Sequence, residues 1–270
     1  GVQTCALPIC IVAVDLKTGV RKWHFQLVHH GIWDFDIPCV PMLVDLTVNG
    51  RAVKALAQPT KQAWLYMFDR VTGQPFFPIE ERPVEQSTVP NEKTTPTQPF
   101  VTKPPAYDRQ GFSLEDLINF TPALNAEARE IVKKYKIGPI FTPPVVSKAE
   151  GPLATLALAT AGGGTVWAGG SLDPETGIAY LYSRKQLASL GLVPSDPKVR
   201  DFAYVQGLAT TGARTAGGAG SDGAAVPGDS GAATSTTVQG LPLYKPPYGQ
   251  ITAIDMNKGE IVWQVAHGET

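Results

Sequence analysis

Four stretches of the chain share one pattern of apolar and polar positions. An apolar run ends at an Asp, a Gly follows four residues later, and an aromatic side chain comes next. Ile11-Val12-Ala13-Val14-Asp15 leads through Gly19 to Trp23, and Ile251-Thr252-Ala253-Ile254-Asp255 leads through Gly259 to Trp263. In both, the Asp lies eight residues before the Trp. Leu65-Tyr66-Met67-Phe68-Asp69 with Gly73, Phe76 and Phe77 is a third copy, and Ser171-Leu172-Asp173 with Gly177 and Tyr180 a looser fourth. Each unit reads as a hairpin: the Asp carboxylate bonds its own turn, the Gly supplies a positive φ, and the return strand carries the aromatic residue. One hairpin cannot bury both faces alone, so the repetition predicts blades packed radially around an axis.

Two regions depart from the strand pattern. Residues 113–136 read as a helical excursion between blades, or as an amphipathic helix that binds a partner. Ser113 and Asp116 make a capping-box-like start, Pro122 interrupts, and Lys133, Lys134 and Lys136 sit at the end that favours cations. Residues 207–240 are dominated by Gly, Ala, Ser and Thr, too poor in apolar surface to offset chain entropy, and are predicted to be a flexible loop. The Gly218-Ala219-Gly220-Ser221-Asp222-Gly223 run follows no strand pattern and opens no helix, which argues against a phosphate site.

Composition supports the all-β reading. The 270 residues contain 27 Gly and 24 Pro, more turn formers than a helical protein carries. With 23 Lys+Arg against 24 Asp+Glu and no basic block, nucleic acid is not an expected partner. No run reaches the roughly 18 to 20 apolar residues of a membrane span. The three cysteines, at 5, 10 and 39, have no metal-ligand spacing. Residues 1–9 back-translate into a common sequencing-adapter oligonucleotide. They are read as non-biological, with residues 10–270 as part of a propeller domain truncated near Ile11 and stopping abruptly after Gly268.

The densest chemistry lies in His29-His30-Gly31-Ile32-Trp33-Asp34-Phe35-Asp36-Ile37-Pro38. Apolar neighbours such as Trp33 and Phe35 lower the local dielectric, which suits a carboxylate to act as a base. Asp36 reads as a backbone-bonding acid. His29 and His30 alternate across an extended segment and so do not share a metal, although one of them could line a substrate funnel. Lys61 follows Asp34 by 27 residues, in Ala57-Gln58-Pro59-Thr60-Lys61-Gln62. No strand–GxGxxG–helix unit for a dinucleotide cofactor is present.

The segments around Asp34 and Lys61 resemble the membrane-associated quinoprotein glucose and alcohol dehydrogenases, which use pyrroloquinoline quinone (PQQ) and Ca²⁺. Thr95-Pro96-Thr97-Gln98-Pro99-Phe100, Ile140-Phe141-Thr142-Pro143-Pro144, Trp167-Ala168-Gly169-Gly170 with Asp173-Pro174, and Pro247 to Asp255 extend the likeness from about Ile11 to near the end of the chain. The resemblance implies about half of an eight-bladed propeller. It implies that Asp34 is the catalytic base and that Lys61 lies beside the quinone oxygens. Hydride would pass to PQQ polarised by Ca²⁺, and electrons on to a quinone or cytochrome c. Trp167 either packs under the cofactor or fills the axis. The substrate would be a sugar or an alcohol, and the motif leans toward the glucose-dehydrogenase branch. The implied location is the periplasm, with membrane association through a segment outside this chain. The family often has an acid where Gly31 stands and a polar residue where Val166 stands, and its main Ca²⁺ ligands are expected upstream of Ile11, so this chain alone is expected to bind PQQ poorly. The rival reading is a non-catalytic propeller scaffold, which has no need of an Asp34–Lys61 pair.

Overall fold

The computed structural model of the protein describes residues 9–160, 162–198, 201–209, 214–216 and 236–268. Strands β1 (Cys10–Val14) and β2 (Arg21–Gln26) form an antiparallel hairpin. β3 (Met42–Val48), β4 (Arg51–Pro59) and β5 (Leu65–Asp69) form a three-stranded antiparallel sheet, extended by a bridge from Phe68 to Pro75. A separate hairpin of β6 (Ile79–Pro83) and β7 (Thr97–Val101) follows. The chain then makes a 3-10 turn at Leu114–Asp116, helix α1 (Pro122–Val132), and the short strands β8 (Val145–Val146) and β9 (Thr155–Ala157). β10 (Gly170–Asp173) and β11 (Ile178–Arg184) open a second large sheet. An excursion through β12 (Ala188–Pro194), β13 (Tyr204–Ala209), β14 (Arg214–Ala216), β15 (Thr237–Val238) and β16 (Leu241–Pro242) interrupts it. β17 (Gly249–Asp255) and β18 (Glu260–Ala266) then complete it in the antiparallel order β10-β11-β17-β18.

The four repeated motifs fold alike. Asp15 Oδ1 accepts the backbone N–H groups of Lys17 and Thr18, Asp69 those of Val71 and Thr72, and Asp255 those of Asn257 and Lys258. Asp173 does the same with the Glu175 N–H and the Thr176 hydroxyl. In each turn the Gly N–H donates back to the Asp carbonyl, at 2.7–2.9 Å. The backbone N–H of Thr72 is the main cause holding the Asp69 carboxyl below its ordinary range.

The aromatic residue of one unit docks on the turn of the next. Trp23 lies so close over Gly73 that a Cβ there would fall 2.5 Å from the indole, and its Nε1–H donates to the Arg70 carbonyl at 3.1 Å. Gly73 is required twice over, by this approach and by its φ of +74°. Phe77 covers Gly259 in the same way, with its ring 2.9 Å from the position a Cβ would take. Between the hairpin β1-β2 and the sheet β3-β4-β5 lies an aromatic core of Trp23, Phe25, Tyr66 and Phe68, reaching Trp33, Trp64 and Phe141. Between that sheet and β10-β11-β17-β18 lies an aliphatic one: Val44, Leu46, Ala57, Leu65, Leu181 and Ile254. Alternating side chains on β3 (Met42, Val44, Leu46 and Val48 buried, with the residues between them exposed) show the period of two that buries one face. Three successive blade-like units joined by aromatic docking are the propeller architecture the repeats predict.

Two expectations need correction. The helix does not run through 113–136. Asp116 accepts both the N–H and the hydroxyl of Ser113 around the 3-10 turn, and α1 begins only at Pro122, with Thr121 as its cap. Pro122 therefore starts the helix instead of interrupting it, because a first-turn residue needs no N–H donor. Lys133 is the C-cap, and Lys134 and Lys136 lie past the end. Within 207–240, residues Gly207 to Ala209 belong to β13 and pair with β14, and Thr237–Val238 is also strand. Small side chains lower strand propensity without preventing backbone pairing. Positions 210–213 and 217–235 of that reading, and 1–8 of the adapter reading, lie outside the described residues. The helix packs through Ala128 and Val132 into a third core with Phe112, Ile118, Leu158 and Leu243.

Candidate active site

Between β2 and β3 the chain forms no strand and bends at 27–30, 33 and 39, and around Trp33 to Asp36 buried side chains alternate with more exposed ones. Trp33 and Phe35 turn inward, stacked at 5.9 Å and each meeting the edge or face of Phe141. Trp33 Nε1–H donates to the Thr142 carbonyl at 2.9 Å, while the Thr160 hydroxyl donates to the Trp33 carbonyl. With those two rings locked, Asp34 and Asp36 are presented on the other side. Asp34 sits at φ +61°, a left-handed conformation that Asp tolerates better than most residues and that recurs at functional sites.

Lys61 comes from the β4–β5 connection. Thr60 Oγ accepts the Trp64 N–H and donates to the Trp64 carbonyl, which closes a tight loop around it. Gly164 rests on the Lys61 carbonyl so closely that no side chain fits there, and the Gly164 and Arg184 backbones exchange hydrogen bonds at 2.8 and 3.0 Å. Tyr107 braces the floor: its hydroxyl bonds Thr60 O and, at 2.7 Å, Thr165 Oγ. The stem of Lys61 is therefore buried while its ammonium meets both acids. It contacts Asp36 Oδ1 directly and lies 3.6 Å from Asp34 Oδ2.

The side chains of Lys61, Asp36 and Asp34 are 9%, 36% and 62% exposed, so the group opens to solvent on the Asp34 side. Loss of water raises the Asp34 carboxyl above its ordinary range; Lys61 opposes this and Asp36 adds to it. Cys39 lies below, its thiol donating to the Thr165 carbonyl at 3.2 Å. Burial, with the Asp36 charge, pushes that thiol up to about 12, which makes it an inert core group.

The Trp167 loop reaches the same place by its backbone. Thr165 N–H donates to Thr60 O, and Gly169 lies against Cys39. Trp167 is 72% exposed and packs in no core among the described residues. His29 pairs with Glu81 at 2.8 Å, its backbone is clamped on both sides by the buried Gln98 amide, and His30 is exposed. Among the described residues no group of three or more His, Cys, Asp or Glu is placed to hold a metal. Asp36 bonds Lys61 and not the backbone expected of it, because Lys61 arrives from a distant loop that local patterning does not reveal. The sequence reading also missed the buried Lys185–Asp108 pair, for which no local motif exists.

The PQQ family model described as "Glucose/ethanol/alcohol dehydrogenase, beta-propeller domain" matches residues 7–270. The chain belongs to this family. Within it, the chain is 32% identical to the glycerol dehydrogenase large subunit of Gluconobacter thailandicus, over 94% of this chain and 34% of that one. It is 29% identical to the quinoprotein glucose dehydrogenase of Escherichia coli strain K12, over 94% of this chain and 30% of the relative. The chain thus spans about a third of the length of these PQQ-family relatives. A solved quinohemoprotein alcohol dehydrogenase from Comamonas testosteroni superposes with a TM-score of 0.47 at 19% identity, covering 96% of this chain and 29% of that one.

Proposed function

We propose that this chain supplies the base and the cation of a PQQ-dependent dehydrogenase that oxidises a hydroxyl group of a sugar or alcohol. The observation that carries the reading is the convergence of Asp34 and Lys61, from segments 27 residues apart, on one partly open rim. A binding scaffold has no need of a strained, partly desolvated carboxylate beside an ammonium.

The residues present suit an anionic, planar, oxygen-rich cofactor. Lys61 offers one well-anchored positive charge, and Trp167 an exposed aromatic side chain. PQQ, when bound, accepts the hydride. Asp34 takes the substrate hydroxyl proton, and its raised basicity makes that transfer easier near neutral pH. Lys61 stabilises negative charge that grows on a neighbouring oxygen, through an ammonium fixed beforehand in a low-dielectric floor. Trp33, Phe35 and Phe141 exclude water behind both groups. The Ca²⁺ implied by the resemblance meets no group of three or more His, Cys, Asp or Glu side chains among the described residues. Onward transfer of electrons to a quinone or cytochrome c, and a periplasmic location, complete the proposal.

The test is dye-linked oxidation by the whole protein that carries this chain, reconstituted with PQQ and Ca²⁺ on aldoses, polyols and simple alcohols. PQQ-dependent turnover on one of these classes supports the reading and identifies the substrate class. Absence of PQQ binding overturns it in favour of a scaffold.

A further inference from the structure

We propose that Asp36 is a positioning residue that holds the Lys61 ammonium in place, leaving Asp34 free to act on substrate. The two acids on this segment then have different tasks. This deepens the reading above and rests on the role given there to Lys61.

Distance comes first. Lys61 Nζ contacts Asp36 directly but stands 3.6 Å from Asp34, beyond a normal N–H···O bond. Exposure follows the same order, since Asp36 is 36% exposed and Asp34 62%. The inner acid is the counter-ion and the outer one faces whatever enters. The arrangement is built in advance. Phe35, between the two acids, is buried against Trp33 and Phe141, and Lys61 is pinned at its carbonyl by Gly164. Neither partner has to reorganise to meet the other.

A base that must give and take a proton is a poor permanent counter-ion, because its charge changes during the reaction. A second carboxylate removes that conflict and keeps the Lys61 ammonium aimed throughout. The titratable groups facing Lys61 are Asp34, Asp36 and Cys39, all from one segment; residues 162–170 on the other side contribute none.

The test uses the whole protein that carries this chain, in its quinone-free form. The rate at which an amine-reactive acetylating reagent modifies Lys61 near pH 8 is read by mass spectrometry in wild type, Asp36→Asn, Asp34→Asn and Asp36→Glu. Buried Lys185 serves as the internal marker that the fold persists. Asp36→Asn is expected to accelerate Lys61 acetylation about tenfold, as loss of the charge-assisted contact frees the amine from its anchored position. Asp34→Asn is expected to change it less than about threefold, and Asp36→Glu to restore protection. If Lys185 becomes reactive in Asp36→Asn, Asp36→Glu is compared with wild type instead, and a Lys61 about tenfold more reactive in Asp36→Glu than in wild type, with Lys185 still protected, overturns the assignment. So does an Asp36→Asn chain that protects Lys61 as wild type does, or an Asp34→Asn chain that exposes it more. None of these readouts involves oxidation of a substrate, so the assignment and the proposed dehydrogenase reading fail separately.

Discussion

Two lysine–aspartate pairs in this molecule have the same chemistry and opposite settings. Lys185 and Asp108 meet at 2.8 Å with both side chains 2% exposed. Ser183 donates to the second Asp108 oxygen at 2.6 Å, and Lys185 donates also to Gln250 Oε1 at 3.1 Å. Gln250 in turn donates to the Tyr107 carbonyl, so the network ties the 104–111 segment to β11 and β17. Burial lowers Lys185 from its ordinary range, with Asp108 opposing. The Lys61 group instead has one lysine shared by two acids and one side open to solvent. A sealed pair holds structure together. A pair with an unequal second acid and an open flank retains a group free to react.

The contrast is broken most strongly at the sealed pair. Asp108→Ala leaves a buried ammonium without its counter-ion and is expected to cost about 3–5 kcal/mol. Urea unfolding measures this, and the double change Asp108→Leu with Lys185→Met is expected to recover most of it, since matched apolar replacement is often neutral. A loss below about 1 kcal/mol for Asp108→Ala would show that the pair is not sealed as described.

Gly164→Ala comes next and touches both properties. A Cβ would collide with the Lys61 carbonyl at a backbone φ of +64°, so a loss of about 2–3 kcal/mol is expected together with displacement of Lys61. A thermal melt alongside Lys61 acetylation reads both effects from one sample.

Asp34→Asn is expected to do the reverse of Asp108→Ala. Stability should stay within about 0.5 kcal/mol of wild type, because the side chain is largely exposed and keeps its shape. The rate of substrate oxidation should fall about 10²–10⁴-fold, the usual contribution of a positioned base. The smallest effect concerns pH and stability. The folded state raises the Asp34 carboxyl, so it holds that proton more tightly than the unfolded chain does, and this contribution favours folding at low pH and fades as pH rises through the raised value. Solvent screening keeps it slight. Differential melting of wild type and Asp34→Asn between about pH 3 and 7, bracketing the ordinary carboxylate value of about 4, checks the sign.

How far the sequence could be read depended on the range of each interaction. The repeats were legible because an Asp turn and its Gly are local, and their geometry recurs at Asp15, Asp69, Asp173 and Asp255 alike. The docking partners were not, since nothing near Trp23 in sequence points to Gly73, 50 residues on. Asp34 and Lys61 were found by resemblance to a family, and the structure brings them together. Asp36 was misread for want of knowing which loop faces it. The Asp108–Lys185 pair joins residues 77 apart in a region with no motif, and only the folded chain reveals it. Pro122 was taken as an interruption because the Thr121 cap before it was overlooked.

The most direct test of the central claim is the pH dependence of kcat/KM for substrate oxidation by the whole PQQ-loaded protein, compared between wild type and Asp34→Asn. The account requires an acidic limb in the wild type, rising with pH through an ionisation above the ordinary carboxylate value, and the loss of that limb with a rate reduced at least about a hundredfold in Asp34→Asn. An Asp34→Asn protein that retains both the limb and the rate would contradict it, and would place the base elsewhere in the protein.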